Sequence, residues 1–264
     1  MLNAKAQQPV KDLTLTFEKT IPLAADHFYG VDEAGTLFYS TDNVFYKKSS
    51  SQTLQFYDIL LGELTSVDLI NPMNAMLFYK ESQTVVFIDN RLNETQRINL
   101  NELEPYRYIQ YAGVAGEQQL WLFNLDEQRL ERYDYGNNRF LPYLKSIALP
   151  VKRMVSTYNF CHLQTAAELV TFNSYGSVTN TLEKADIQLV ATSFKQLVIL
   201  TTDTLSIWQQ GKNAGFLPTY STSNIPDALI SSQNTPESLY LKAGKLYIYS
   251  RNRISVYDTN LLNN

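Results

Sequence analysis

One pattern of apolar and polar positions recurs along the chain: an apolar strand, a short polar turn, a second strand and a polar residue. Apolar strands of this length, separated by polar turns, are typical of β-hairpins. Six segments share the pattern and align without gaps, with an apolar ninth and a polar thirteenth position. They begin at Leu37, Leu77, Leu122, Cys161, Leu197 and Leu246. Six copies in phase indicate an internal repeat.

Each hairpin has a predicted strand before it, and five have another after it. The preceding, innermost strands are predicted at His27–Asp32, Ser66–Asn71, Arg107–Gly113, Lys152–Tyr158, Ile187–Ser193 and Glu237–Lys242. The following, outer strands are predicted at Leu54–Ile59, Thr95–Leu100, Phe140–Leu144, Val178–Glu183 and Gly215–Ser221. Successive copies start 36 to 49 residues apart, which suits one four-stranded sheet per copy.

The two ends of the chain complement each other. The sixth hairpin ends at Asp258 and lacks a fourth strand, whereas Leu13–Phe17 alternates apolar and polar residues without a hairpin of its own. We therefore predict an all-β, six-bladed β-propeller of four-stranded antiparallel blades, closed by Leu13–Phe17 pairing beside Arg253–Asp258. Two β-sandwiches are the alternative. They explain neither the phase of the repeats nor the missing strand.

The domain organisation follows from the same repeat. We predict one propeller domain over residues 12–260, preceded by a disordered segment over residues 1–11. Residues 222–236, rich in Ser, Thr and Asn, are predicted as a surface loop. Ala4-Lys5-Ala6 fits a signal-peptidase site, so the first segment is interpreted as a remnant of a signal peptide. A periplasmic location is expected on this interpretation, and a cytoplasmic one if Met1 is the true start.

Charge and composition argue against several classes of function. The chain has 22 basic and 26 acidic residues and a net charge of -4, which disfavours nucleic-acid binding. One cysteine and two histidines exclude zinc sites of the multi-cysteine type. Glycine-rich phosphate loops and the Gly-x-Ser-x-Gly motif do not occur, nor does an apolar stretch long enough for a transmembrane helix. We expect a protein that is not an enzyme and that needs no cofactor.

Seven residues form the candidate partner-binding surface: Tyr106, Arg107, Tyr108, Tyr111, His27, Asp32 and Asp68. Tyr and Arg are enriched at the centres of protein interfaces, although the tyrosines could instead fill space between blades. The last three lie at predicted innermost strands, which line the central channel of propellers. There an acid–base role for the histidine or cation binding by the carboxylates is the alternative to a surface position.

Two smaller sets of residues have competing interpretations. Asp89, Asp134 and Asp258 share the thirteenth position and could form a ring of acids, but aspartate more often accepts hydrogen bonds within its own turn. We predict the turn role. Cys161 and His162 are adjacent, and neighbours on a strand point to opposite faces. A Cys–His nucleophilic pair is therefore disfavoured.

The repeats LFYKESQTVVFID and LYIYSRNRISVYD resemble blade hairpins of the β-propeller superfamily. The Tyr- and Asn-rich composition and divergent blades resemble exported propellers of the Bacteroidota, whereas the signatures of WD40, kelch and sialidase propellers are missing. This resemblance implies a protein-binding or scaffold module of the cell envelope. Its partner would be a larger complex, such as a secretion or outer-membrane assembly machine. The alternative is an enzyme or a small-ligand or carbohydrate-binding propeller that uses the central channel.

Overall fold

The computed structural model describes residues 9–141, 146–148, 150–193, 195–211, 215–226 and 235–262. The chain is a six-bladed β-propeller of four-stranded antiparallel blades, with one short parallel strand added to the fifth, which confirms the predicted fold class. The helices in these ranges are two short 3₁₀ segments, Leu100–Glu102 and Asn260–Leu262, and none of the described residues form a helix able to cross a membrane. The chain divides into two compact units, Pro22–Ala185 and Met1–Ile21 with Asp186–Asn264. Strands are numbered β1 to β25 in chain order.

The larger unit contains four blades, each built from four strands that follow one another in the sequence. The first two blades consist of β3 (His27–Val31), β4 (Leu37–Thr41), β5 (Val44–Lys48), β6 (Thr53–Phe56), β7 (Ser66–Asp68), β8 (Asn74–Tyr79), β9 (Thr84–Asp89) and β10 (Glu94–Asn99). The next two consist of β11 (Ile109–Val114), β12 (Gln119–Asn124), β13 (Arg129–Asp134), β14 (Arg139–Leu141), β15 (Arg153–Ser156), β16 (Phe160–Gln164), β17 (Glu168–Asn173) and β18 (Val178–Glu183).

The second and fourth blades contain middle strands that are buried on both faces. Every residue of β16 is buried, as are the first five of the six residues of β9. Val86 of β9 packs in one cluster with Phe38, and Phe87 packs in another with Leu120. Trp121 is fully buried among Phe123, Leu163 and Phe172, and its indole N–H donates to the carbonyl oxygen of Thr157 at 3.0 Å. The bond satisfies the polar atom of the side chain inside the core.

The gap-free alignment of the six hairpins hides a difference in strand register. Leu37, Cys161, Leu197 and Leu246 lie opposite the twelfth residue of their copies. In contrast, Leu77 lies opposite Val86 and Leu122 lies opposite Glu131, which are the tenth residues. The hairpin turn therefore comes one residue earlier in the second and third blades. The cross-strand partner thus differs by two residues, and side chains alternate with a period of two. The aligned positions therefore keep their face of the sheet in all six blades but not their cross-strand partner.

The smaller unit contains the fifth and sixth blades, and both include a strand from the beginning of the chain. The fifth combines β19 (Ile187–Ser193), β20 (Gln196–Thr201), β21 (Leu205–Gln210) and β22 (Phe216–Thr222) with β1 (Lys11–Asp12). The sixth combines β23 (Ser238–Lys242), β24 (Lys245–Ser250) and β25 (Arg253–Thr259) with β2 (Leu15–Pro22).

The predicted closing strand is right in its partner but differs in its bounds. β2 lies beside β25 in the sheet, and the Phe17 ring meets that of Tyr257 edge-on at 5.7 Å. However, Leu13 donates its N–H to the carbonyl oxygen of Ser221, so the residues just before β2 add a parallel strand to the fifth blade. Residues 1–8 of the predicted N-terminal segment and residues 227–234 of the predicted loop lie outside the described residues.

The turn role predicted at the thirteenth position is confirmed for Asp89 and Asp134. Their side-chain oxygens accept N–H bonds from the turn that follows, from Arg91 and Asn93 at 2.8 Å and from Asn137 at 3.0 Å. Ser49 and Asn173 do the same in the first and fourth blades. Asp258 differs, because β25 continues to Thr259 and leads into a 3₁₀ segment; its carboxylate lies 3.7 Å from Lys245.

Candidate partner-binding surface

His27 and Asp32 lie at opposite ends of the innermost strand β3. His27 is exposed, with its ring 6.2 Å from that of Tyr29. The Asp32 carboxylate accepts N–H bonds from Ala34 and Thr36, both at 2.9 Å. Asp32 thus closes the turn between β3 and β4, and the structure does not bring these two predicted residues together.

Asp68 joins the second and third blades. One carboxylate oxygen accepts the N–H of Ile70 and the other accepts that of Val114 in β11, each at 2.9 Å. Burial nevertheless raises the pKa of Asp68 to about 6, against the lowering effect of the two hydrogen bonds. At this site the cost of desolvating the charged carboxylate outweighs the stabilisation that the two N–H donors provide. This carboxyl group therefore changes its charge near neutral pH.

The four residues around β11 separate into buried and exposed positions. The Arg107 side chain is buried, bonded to Glu131 at 2.7 Å, and its guanidinium carbon lies 3.6 Å from the centre of the Phe140 ring. Tyr111 is half-buried and donates its hydroxyl to the carbonyl oxygen of Val151, and burial raises its pKa. Tyr108 is also half-buried, whereas Tyr106 is 60% exposed. Tyr106 is thus the member of this group best placed to touch a partner.

Cys161 and His162 are both fully buried in β16. Burial raises the pKa of the Cys161 thiol and lowers the pKa of His162 to about 3, so both groups are neutral at physiological pH. The His162 Nδ1 atom and the Thr171 hydroxyl are hydrogen-bonded at 2.8 Å. Among the described residues, no three His, Cys, Asp or Glu side chains gather in a way that could hold a metal ion.

Among the described residues, the most exposed large aliphatic side chains lie in a loop that the sequence pattern assigned partly to a strand. β6 ends at Phe56 rather than at Ile59, and the chain then turns outward. In this turn Tyr57 is 51% exposed, Ile59 76% and Leu60 83%. Large aliphatic side chains exposed side by side are uncommon on a monomer surface and mark interaction sites. We call residues 57–60 the Ile59–Leu60 turn.

Hydrogen bonds and an ion pair fix the conformation of the Ile59–Leu60 turn. Asp58 accepts the N–H of Leu60 through its side chain at 2.9 Å and that of Leu61 through its carbonyl group at 3.2 Å. Its second carboxylate oxygen binds Arg97 of β10 at 2.7 Å, and this contact lowers the pKa of Asp58. Leu61 and Leu64 are buried in the core immediately after the turn. The two exposed side chains are therefore presented by an ordered loop.

Two neighbouring segments pack against this loop. The Ser82 hydroxyl, between β8 and β9, donates to the carbonyl oxygen of Leu61 at 2.9 Å, and Asn101 donates to the carbonyl oxygen of Ser82 at 3.1 Å. Gly62 has φ +76, and a Cβ atom there would lie 3.3 Å from a carboxylate oxygen of Glu81. Glycine fits both requirements. The loop after β6, the turn after β8 and the segment after β10 thus form one continuous surface.

Comparison with solved structures shows the same fold in proteins of very different sequence. A chain of the mitotic checkpoint complex has a TM-score of 0.61 at 10% identity, covering 98% of this chain and 96% of that chain. The Cps50 (Swd1) β-propeller domain of Myceliophteria thermophila gives 0.58 at 9% identity, covering 93% and 99%. Virginiamycin B lyase from Staphylococcus aureus gives 0.56 at 8% identity, covering 94% and 99%. At these sequence identities, the similarity between this chain and the three structures is one of fold alone.

Sequence comparison adds no family. No family model matches the chain, and no curated protein matches it. Solved propellers of similar shape include a chain of a multiprotein complex and an enzyme. The fold is compatible with either kind of function, and the side chains must decide between them.

Proposed function

We propose that this chain is a non-catalytic protein-binding or scaffold module and that the Ile59–Leu60 turn is its main contact with a partner. The observation that carries the proposal is the exposure of Ile59 and Leu60, at 76% and 83%, on a loop whose backbone is fixed. Burying one such side chain contributes about 1.5–3 kcal/mol. A preformed loop gives up little conformational entropy on binding, so this contribution is not lost in ordering the chain.

The proposed setting is the cell envelope, in an accessory subunit of a secretion or outer-membrane assembly machine. This part rests on the resemblance of the hairpins and composition to exported propellers, and on the absence of a catalytic motif in the sequence. The likeness to virginiamycin B lyase extends to the fold alone and gives no reason to propose a lyase activity.

Site-specific photocrosslinking tests the proposal. A photoreactive amino acid replaces Leu60 in the full chain, and the same amino acid replaces Tyr175, which is 86% exposed on the turn between β17 and β18. We expect crosslinking in the native cells to give a protein from position 60 that position 175 does not give. With that protein purified, the Ile59→Ser/Leu60→Ser variant should lose at least about tenfold in affinity, equal to about 1.4 kcal/mol.

The matched control is Tyr175→Ser, which should bind the same partner as tightly as the wild type. Both variants alter exposed side chains and should keep stability within about 0.5 kcal/mol, measured by urea unfolding. The same proteins crosslinked from both positions, or unchanged affinity of the double variant, would show that the turn is not the contact.

A further inference from the structure

The surface around the Ile59–Leu60 turn is acidic. Its three segments, residues 57–64, 80–83 and 100–106, carry five acidic residues and one basic residue, Lys80. Asp58 is already paired with Arg97. The other four acids are exposed glutamates, and none of them forms an ion pair with a described residue. They are Glu63, Glu81, Glu102 and Glu104.

This local imbalance is far larger than that of the whole chain. Four glutamates face one lysine here, whereas the chain has 26 acidic and 22 basic residues. Two cations beside these segments are already paired, because Arg97 binds Asp58 and Glu94, and Arg107 binds Glu131. The exposed apolar turn is therefore accompanied by net negative charge. Charges at the rim of an interface attract a complementary partner and repel one of like charge.

We propose that the partner segment is basic and amphipathic: apolar side chains cover Ile59 and Leu60, and lysines or arginines meet the four glutamates. This inference rests on the proposed function and adds the chemistry of the partner. Nucleic acids and membranes rich in anionic lipid carry negative charge, so the same glutamates repel them. A protein segment supplies both the apolar and the cationic groups that the surface requires.

A pair of synthetic peptides tests the chemistry directly. One contains leucine and lysine at amphipathic helical spacing, and the other has glutamate at every lysine position. Each fluorescent peptide is titrated with the full chain, and affinity is measured by anisotropy at low and high salt. We expect the leucine–lysine peptide to bind at least tenfold more tightly than its partner, with affinity falling as salt screens the charges.

Two matched sets of variants separate a specific site from general attraction to an acidic protein. In one, Glu63, Glu81, Glu102 and Glu104 become glutamine; in the other, Glu33, Glu117, Glu183 and Glu237 do so. The second four are also exposed, so both variants lose the same charge. The first should weaken the leucine–lysine peptide several-fold and reduce its salt dependence, and the second should not. Ile59→Ser/Leu60→Ser should weaken it at both salt concentrations.

Equal effects of the two glutamine sets, or equal binding of the two peptides, would overturn the inference. Binding of phosphatidylglycerol vesicles that depends on Ile59 and Leu60 would overturn it in favour of a membrane surface. The proposed function fails separately, in the photocrosslinking experiment. In a further outcome, a partner is crosslinked at position 60 but binds the four-glutamine variant with unchanged affinity. That result would support the Ile59–Leu60 turn as the docking surface and refute the inference that the partner segment is basic.

Discussion

The two units of the chain complete the same kind of blade in different ways. In the larger unit all four strands of a blade follow one another, so each sheet forms from neighbouring sequence. In the smaller unit the fifth blade adds β1 beside β22, with Lys11 opposite Tyr220, and the sixth blade takes its outermost strand, β2, from the start of the chain. Thr14 donates to Asn260 at 3.2 Å, and Asn260 donates to the carbonyl oxygen of Asp12 at 2.9 Å. Contacts so distant in sequence require closure of a long loop, which costs conformational entropy. The blades of the larger unit avoid that cost.

The turns after the third strand show the same division. In the larger unit a side-chain oxygen of Ser49, Asp89, Asp134 or Asn173 accepts backbone N–H bonds within this turn. In the smaller unit Gln209 lies inside β21 opposite Leu217. Local side-chain bonds thus support the locally closed blades. The smaller unit depends instead on the burial of residues such as Leu13.

The largest effect is expected from Leu13→Ala. Leu13 is 4% exposed and packs in the core of the smaller unit, and removing a buried leucine side chain costs about 2–5 kcal/mol. Hydrogen exchange should accelerate in β22 and β25 and stay unchanged in β8 and β12 of the larger unit. Phe17→Ala, at a side chain that is 57% exposed, is the control on the same segment. Equal acceleration in both units would show that they unfold together and would remove the distinction.

The sequence was sufficient to predict the fold, because the six repeats show which positions of each hairpin are apolar. It could not set the register of the hairpins, because the two registers differ by two residues. A shift of two residues leaves every side chain on the same face, so both registers fit the same pattern of apolar and polar positions. The same limit applied to the closing strand: Leu13 and Leu15 alternate in one pattern, although Leu13 belongs with the fifth blade and Leu15 begins β2.

The candidate surface was harder to predict than the fold. The sequence predicted an outer strand over Leu54–Ile59, whereas the turn held by Asp58 and Gly62 ends the strand at Phe56. Arg107 was a reasonable interface residue by type. However, its guanidinium forms a buried ion pair with Glu131, 24 positions later in the sequence. Tyr106 remains exposed. Its pairing with any partner stays a prediction.

The second largest effect is the pH dependence of the larger unit. Because the folded pKa of Asp68, about 6, exceeds that of the free side chain, the folded chain binds more protons than the unfolded chain between about pH 4 and 6. The contribution of Asp68 to stability should therefore rise as pH falls from 7 to 4, by an amount on the order of 1–2 kcal/mol. Urea unfolding of wild type and Asp68→Asn across this range measures the difference.

Asp68→Asn also disturbs the bond to Val114 at every pH, so the informative quantity is the change with pH. Asp89 gives a control of opposite sign. Bonds from Asn93 lower the pKa of Asp89, so its contribution is present above about pH 4 and is lost as pH falls through its folded pKa. A difference between wild type and Asp68→Asn that does not vary from pH 4 to 7 would mean that the carboxyl group keeps its ordinary pKa.

A smaller loss is expected from Asn173→Ala in the turn of the fourth blade. Its side-chain oxygen accepts the N–H groups of Tyr175 and Ser177, both at 3.0 Å, and losing such bonds costs about 0.5–1.5 kcal/mol. The urea midpoint measures this loss. Tyr175→Ser lies in the same turn, but its side chain is 86% exposed, and it should leave the midpoint unchanged. Equal midpoints for the two variants would show that the side-chain bonds do not support the turn.

The smallest effect is expected from Asp258→Ala, at the thirteenth position of the sixth repeat. Asp258 lies within β25 opposite Lys245, its side chain is 56% exposed, and its charged neighbour lies 3.7 Å away. A surface ion pair of this kind contributes little. The free energy of unfolding, measured in urea, should therefore match that of the wild type within about 0.5 kcal/mol. A loss as large as that of Asn173→Ala would break the comparison. It would mean that the polar residue at this position stabilises a blade whether or not a turn follows it.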